Sequence, residues 1–271
     1  MRDFSNDLML LLIQSNSMSI QFTSRPSLIA YVTCGDPDLA TTRDIVLAAV
    51  DAGVSVIELG VPFSDPLADG PVIQRASQRA LQHAISTEQI LSFAKDIRRQ
   101  SDVGLILFTY LNPLLRMGLA RFAAAAQDAG LDGALVTDLP VEEADMYLQE
   151  MRQRNLATVF LAAPTSTDDR LKQIARASSG FVYAVSRTGV TGARKELTDD
   201  AMKLVGRLRK RTKLPIAVGF GISTPQQFAA VGEFAEAAVV GSAIVEIIER
   251  NPGKEAASVA KFIGQLLAPS S

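Results

Sequence analysis

From Leu28 onward the chain alternates short, β-branched apolar runs with amphipathic stretches of helix length. Eight such runs stand out: Leu28 to Thr33, Val56 to Gly60, Gly104 to Thr109, Gly133 to Thr137, Ala157 to Ala162, Phe181 to Ser186, Pro215 to Gly219 and Ala237 to Gly241. Runs that are apolar on both faces suit parallel strands covered by helices. Between them, Thr42 to Ala52 and Leu119 to Ala129 have helical periodicity, and both run into the tripeptide Asp-Ala-Gly. The glycines that close it, Gly53 and Gly130, read as left-handed helix stops just before a strand. Eight β-α units in 271 residues, with no linker-like break in composition, predict an α/β fold: a closed (β/α)8 (TIM) barrel in a single domain. A doubly wound sheet is the alternative. It is disfavoured because the first turn reads Cys34-Gly35-Asp36-Pro37 and lacks a Gly-x-Gly-x-x-Gly signature.

The intervals between strand starts are 28, 48, 29, 24, 24, 34 and 22 residues, so the insertions follow strands 2 and 6. In a barrel, the loops after strands build the functional face, and long loops there act as lids or ligand-binding segments. The first 26 residues read differently from the rest. Leu8 to Ile13 is an apolar run, but a transmembrane helix needs roughly 20 such residues. A single basic residue, Arg2, offset by Asp3 and Asp7, and no small-x-small cleavage pattern argue against a signal peptide. The reading is an atypical N-terminal extension or leading helix over residues 1–26, a barrel domain over 27–271, and a cytoplasmic protein without a membrane span. Residues 1–17 read as an appendage or an over-extended start.

Composition narrows the chemistry. Twenty-seven Lys+Arg against 29 Asp+Glu, with no basic block, do not suit a nucleic-acid surface. One cysteine, Cys34, and one histidine, His83, leave no disulfide framework and disfavour a Cys/His zinc cage or a Ser-His-Asp triad. The chemistry is expected to rest on carboxylates, hydroxyls and backbone amides. Cys34 reads as a small buried filler and His83 as a surface residue.

In strand 2, Val56 and Glu58 share one face and Ile57 and Leu59 the other. If helices cover Ile57 and Leu59, Glu58 points into the barrel mouth. There burial should raise its pKa, as a general acid or base at neutral pH requires. The bland alternative is a structural Glu paired with a Lys or Arg. The loop that follows, Val61 to Pro71, holds three prolines that stiffen it, and Asp69 before Gly70-Pro71 is a second candidate carboxylate. Asp65, Asp36 and Asp138 read as turn formers.

Strands 7 and 8 run into Gly219-Phe220-Gly221-Ile222-Ser223 and Gly241-Ser242-Ala243-Ile244-Val245, each just before a helix. Bare backbone amides at a helix start form an anion site, and the loops after strands 7 and 8 are the recurrent phosphate position in barrels. Arg187 to Ala193 adds a third glycine-rich stretch. Capping explains part of this pattern: Thr224 reads as a cap with Pro225 at the first helical position, and a cap is the competing role for Ser242. Aromatic candidates for holding a flat ring are Tyr31, Phe108, Tyr110, Tyr183 and Phe220. Core packing is the competing role for each.

Taken together, Tyr31 to Pro37 (YVTCGDP), Glu58 to Pro71 (ELGVPFSDPLADGP), Val136 to Pro140 (VTDLP), Ser186 to Gly192 (SRTGVTG), Gly219 to Ser223 (GFGIS) and Val240 to Val245 (VGSAIV) resemble the tryptophan synthase α subunit family. The resemblance runs from about Leu28 to the C-terminal helix. It implies retro-aldol cleavage of indole-3-glycerol phosphate to indole and glyceraldehyde 3-phosphate, with no metal or organic cofactor in this subunit. It also implies an α2β2 assembly in which indole passes to a pyridoxal-phosphate-dependent β subunit. By the same resemblance, Glu58 is the principal acid/base group and Asp69 holds the indole N–H. Tyr183 lies beside the substrate, and Gly192, Gly221, Gly241 and Ser242 bind its phosphate. Thr191 meets Asp69 on loop closure. Tyr31, Phe108 and Phe220 complete the expected substrate contacts, and the segment Pro62 to Pro66 with the region after strand 3 would touch the β subunit. Another phosphosugar barrel would share strands 7 and 8 but not the acidic loop. A barrel kept only to activate a partner would be expected to have lost Glu58 or Asp69.

Overall fold

The computed structural model of the chain describes residues 20, 22–185, 194–219 and 221–268, with residues 194–198 described by backbone alone. The expected leading helix within residues 1–26 therefore falls mostly outside the described residues.

Eight parallel strands close into a barrel in chain order, β1 (Ser27–Thr33), β2 (Val56–Gly60), β3 (Gly104–Thr109), β4 (Gly133–Val136), β5 (Ala157–Ala162), β6 (Val182–Val185), β7 (Ile216–Gly219) and β8 (Ala237–Val240). Closure is made by β1 pairing with β8, Ser27 opposite Ala237 through Ala30 opposite Val240. Every apolar run predicted a strand within two residues at either end. Alternation divides each strand between two cores. Ile29, Val56, Ile106, Leu135, Val159, Phe181 and Ala217 fill the barrel interior. Ile57, Leu59, Leu105, Leu107 and their neighbours face the outer helices. Ile20 and Phe22 join the inner core, Phe22 edge-on to Phe181 at 5.9 Å.

The helices are α1 (Leu39–Asp51), α2 (Pro71–Leu81), α3 (Thr87–Arg98), α4 (Leu111–Met117), α5 (Leu119–Asp128), α6 (Asp145–Gln153), α7 (Asp168–Ala177), α8 (Arg194–Arg209), α9 (Pro225–Val231), α10 (Ser242–Arg250) and α11 (Glu255–Leu267). Their ends obey local chemistry. Asp38 caps α1 through the Thr41 N–H at 2.8 Å. Ser86 with Gln89, and Thr224 with Gln227, form reciprocal capping boxes at α3 and α9. Gly53 and Gly130 have φ of 104° and 74°, so α1 and α5 end on the left-handed residues the sequence suggested. The long interval after β2 holds two helices, α2 and α3, rather than one extended loop.

The amino-terminal side of the barrel is held by Arg98, which donates to the carbonyls of Gly130 (2.9 Å) and Val103 (2.8 Å) and to the Asp132 carboxylate (2.8 Å). The same Asp132 oxygen accepts the Leu105 N–H at 2.8 Å. Those bonds secure the end of the barrel opposite the loops that follow the strands, and so keep structural demands away from them.

Candidate active site

Glu58 occupies the face of β2 that alternation assigns to the barrel interior, opposite Tyr31 of β1 and Ile106 of β3. It is 0% exposed, and among the described residues neither carboxylate oxygen has a hydrogen-bond partner. Burial alone raises its pKa to about 8, so the resting group carries a proton at neutral pH. Among the described residues, no Lys or Arg pairs with it.

Asp69 sits at the end of the proline-rich loop, directly before Gly70, the N-cap of α2, and Pro71 at its first position. Its backbone is fixed on both sides: the Asp69 N–H donates to Pro66 O (3.0 Å), and Gln74 donates to Asp69 O (2.9 Å). Burial raises its carboxyl to about 6, and a hydrogen bond from the Tyr110 hydroxyl opposes the rise. Tyr110 also accepts the Ala68 N–H at 3.0 Å and stacks on Phe63 at 4.9 Å. The two carboxylates thus occupy environments that separate their pKa values around neutrality.

Tyr31, 4% exposed, lies between the strands that hold the site. It packs edge-on against Phe108 at 5.1 Å, and the Thr33 hydroxyl reaches its phenol at 3.4 Å. Both Asp69 and Glu58 push its ionisation upward, behind the larger effect of burial. Tyr183 on β6 feels Glu58 in the same way, and its hydroxyl rests against Gly219 at the end of β7. Gly241 lies against Tyr31, where an added Cβ would sit 3.4 Å from the Tyr31 Cβ. Gly221 has φ of 75°. Gly241 is the N-cap of α10 and no side chain caps that helix, so Ser242 is its first residue and not its cap. Among the described residues, no side chain takes up the leading amides of α10.

Five expected residues, Glu58, Asp69, Tyr31, Phe108 and Tyr183, therefore converge, with Gly241 at their edge. Thr191, Gly192 and Phe220 lie outside the described residues. Of the aspartates read as turn formers, Asp65 is exposed and accepts from Ser64 at 2.9 Å, and Asp138 is exposed and accepts the Leu111 N–H at 2.7 Å. Asp36 differs: it is buried and held in a fork by Arg79. Cys34 is buried and His83 exposed, as expected. A cavity of about 490 Å³ lies beside the carboxylates rather than around them, lined by Pro62, Phe63, Ile85, Pro113, Arg116 and Met117 among others. Among the described residues, no cluster of three or more His, Cys, Asp or Glu is placed to hold a metal ion, and no helix is long and apolar enough to cross a membrane.

The family described as tryptophan synthase alpha chain matches residues 18–267. The chain belongs to that family. It is 54% identical over 228 residues to the tryptophan synthase alpha chain of Solibacter usitatus, covering 84% of this chain and 85% of the relative. It is 45% identical to that of Neisseria meningitidis serogroup B, covering 89% and 92%. A solved mutant alpha subunit from the hyperthermophile Pyrococcus furiosus superposes with a TM-score of 0.82 at 40% identity, covering 89% of this chain and 97% of the other. A chain of the tryptophan synthase complex of the same organism gives 0.81 at 39%, with the same coverage. As a tryptophan synthase alpha chain, the protein is a lyase that cleaves indole-3-glycerol phosphate in tryptophan biosynthesis.

Proposed function

We propose that Glu58 moves the proton and Asp69 holds the ring in this cleavage. The reaction needs a proton delivered to indole C3, a proton removed from the glycerol hydroxyl next to the breaking bond, and stabilisation of positive charge on the ring nitrogen. A Glu58 that rests protonated gives its proton to C3. The resulting carboxylate then takes the hydroxyl proton as the carbon–carbon bond breaks: the O–H electron pair becomes the aldehyde C=O, and the bond pair returns to the indole ring. Glu58 ends protonated, as it began. Asp69, with a pKa near 6, is ionised at neutral pH and accepts the indole N–H, stabilising the charge that develops there.

The observation that carries this reading is the state of Glu58, buried with both oxygens unpartnered among the described residues, with a second carboxyl of lower pKa acting on the same Tyr31. Tyr31, Phe108 and Tyr183 supply apolar walls for the indole, and Phe220 is assigned as a further substrate contact by resemblance alone. The amides of Gly221, Gly241 and Ser242, joined by Gly192, take the phosphate. The family resemblance assigns Thr191 to Asp69, where it would help exclude water. The chain works in the cytoplasm with a pyridoxal-phosphate-dependent β subunit in an α2β2 tetramer. The 490 Å³ cavity supports this partnership, because it joins the Pro62–Ser64 segment to the Pro113–Met117 segment on one face, with Leu67 and Leu115 exposed nearby in sequence.

The deciding experiment is indole release from indole-3-glycerol phosphate by the native chain and by Glu58→Gln, each with a β subunit. Partner-stimulated cleavage that the substitution lowers by about 10²–10⁴-fold is expected. Near-native turnover in Glu58→Gln would remove Glu58 from the chemistry.

A further inference from the structure

Two helices that flank the proposed site are tied together beyond it by a chain of ion pairs that the chemistry above does not use. Helix α2 leaves directly from Asp69-Gly70, and α10 starts at Ser242. They follow β2 and β8, the two neighbours of β1 in the barrel, and meet over it. Ala76 of α2, Val245 of α10 and Tyr31 of β1 form one small buried cluster.

About a turn further along α2, Arg79 donates Nε (2.7 Å) and Nη2 (2.8 Å) to the two oxygens of Asp36, which is 2% exposed in the loop after β1. Its remaining Nη1 donates to Glu249 of α10 at 2.7 Å. Arg75, one turn back on α2, grips Glu249 with Nε and Nη2 at 2.8 and 2.7 Å. Isolated surface pairs contribute little to stability. Two planar forks that share a carboxylate and end on a buried one instead fix relative orientation, which a lysine cannot reproduce.

We propose that Asp36, Arg79, Glu249 and Arg75 are positioning residues that set the distance between the two halves of the substrate site, the indole end beside Asp69 and the phosphate end at Gly241-Ser242. This rests on the site assignment made above. The substrate joins indole and phosphate covalently, so it gains from binding both halves only when they stand at the right separation. Indole or a phosphate ester alone occupies one half and is indifferent to that separation. Loosening the chain should therefore penalise the linked ligand and spare its fragments.

The test is equilibrium binding to the full chain, alone and with a β subunit. The probes are indole, glycerol 3-phosphate, and an indole bearing a three-carbon phosphate chain without hydroxyls. Arg79→Lys keeps the charge and loses the fork; Glu249→Gln, at a partly exposed position, guards against a folding defect in the first variant. In both variants the fragments should bind within about twofold of native. The linked ligand should weaken about tenfold in Arg79→Lys, a modest share of the roughly 10²–10⁴-fold that linking two binding halves can add. Linked-ligand affinity that stays native while the melting temperature falls, or all three probes weakening alike, would reduce the chain to a structural tie and overturn the proposal. Gly241→Val tests the underlying assignment separately. Glycerol 3-phosphate binding that ignores it removes the phosphate end from Gly241, whatever Arg79→Lys does.

Discussion

The phenol of Tyr31 lies against the bare Cα of Gly60, in the volume that any side chain at that position would need. Gly60 ends β2 two residues after Glu58, so the aromatic wall and the strand that carries the acid are in direct contact. Gly60→Ala should force Tyr31 off its rotamer and cost about 1–3 kcal/mol in stability, as overpacking of a filled core does. Activity should fall with it, because Tyr31 also packs on Phe108 and beside Gly241. In a double-mutant cycle, Tyr31→Phe should restore part of both losses, since the hydroxyl makes the nearest collision. Strictly additive losses would mean that the two residues do not share the space.

The separated pKa values predict a bell-shaped profile. For kcat/KM, which reports the free enzyme, the acid limb should fall near pH 6 as Asp69 loses its charge, and the alkaline limb near pH 8 as Glu58 loses its proton. Asp69→Asn should remove the acid limb and leave the alkaline one in place at reduced rate. Stopped-time indole assays from pH 5 to 9 measure both limbs. An acid limb that survives in Asp69→Asn would assign it to another group.

Tyr110 gives a finer test of the same pair. Its hydrogen bond lowers the Asp69 pKa against the larger effect of burial, and it also accepts the Ala68 N–H next door. Tyr110→Phe keeps the ring stacked on Phe63 and removes only the hydroxyl. The acid limb should then move to higher pH, so that activity falls more at pH 6 than at pH 8. A uniform loss across the range would confine the hydroxyl to holding the loop through Ala68.

The barrel was legible because its evidence is periodic. Runs such as Val56 to Leu59, apolar on both faces, have no other stable home than a covered parallel sheet. Glu58 was legible for the same reason, as the one charge inside such a run. The helix pair after β2 was less visible, although Ser86 and Gln89 already spell the capping box that starts α3. Asp36 escaped because a local Asp-Pro reads as a turn, while its partners are 43 residues away at Arg79 and, through it, at Glu249 on the other side of the chain. No local pattern encodes a contact of that kind. Tyr110 stood among five aromatics with nothing in the sequence to set it apart. Its link to Asp69 exists only because β3 follows β2 around the barrel.

Glu58 also makes a prediction about stability, which is independent of any substrate. Its carboxyl titrates near 8 when folded, against an ordinary value of 4.5. Between those values the native state holds a proton that the unfolded chain has released. The slope of unfolding free energy with pH is set by protons bound in the unfolded state minus those in the native state, so this group's contribution is negative there. Stability from Glu58 is therefore fully present below about pH 4.5, declines as pH rises, and levels off above about pH 8. Glu58→Gln cannot ionise and lacks this decline. Relative to native, the variant should gain stability from pH 5 to pH 8 by an amount on the order of 3 kcal/mol and only about a few tenths of a kcal/mol more by pH 9. Urea unfolding of both proteins at those three pH values, without ligand, measures the difference directly. A difference that stays constant with pH would mean that Glu58 is ionised in the folded protein, and that it reaches the reaction as a base rather than as the acid proposed here.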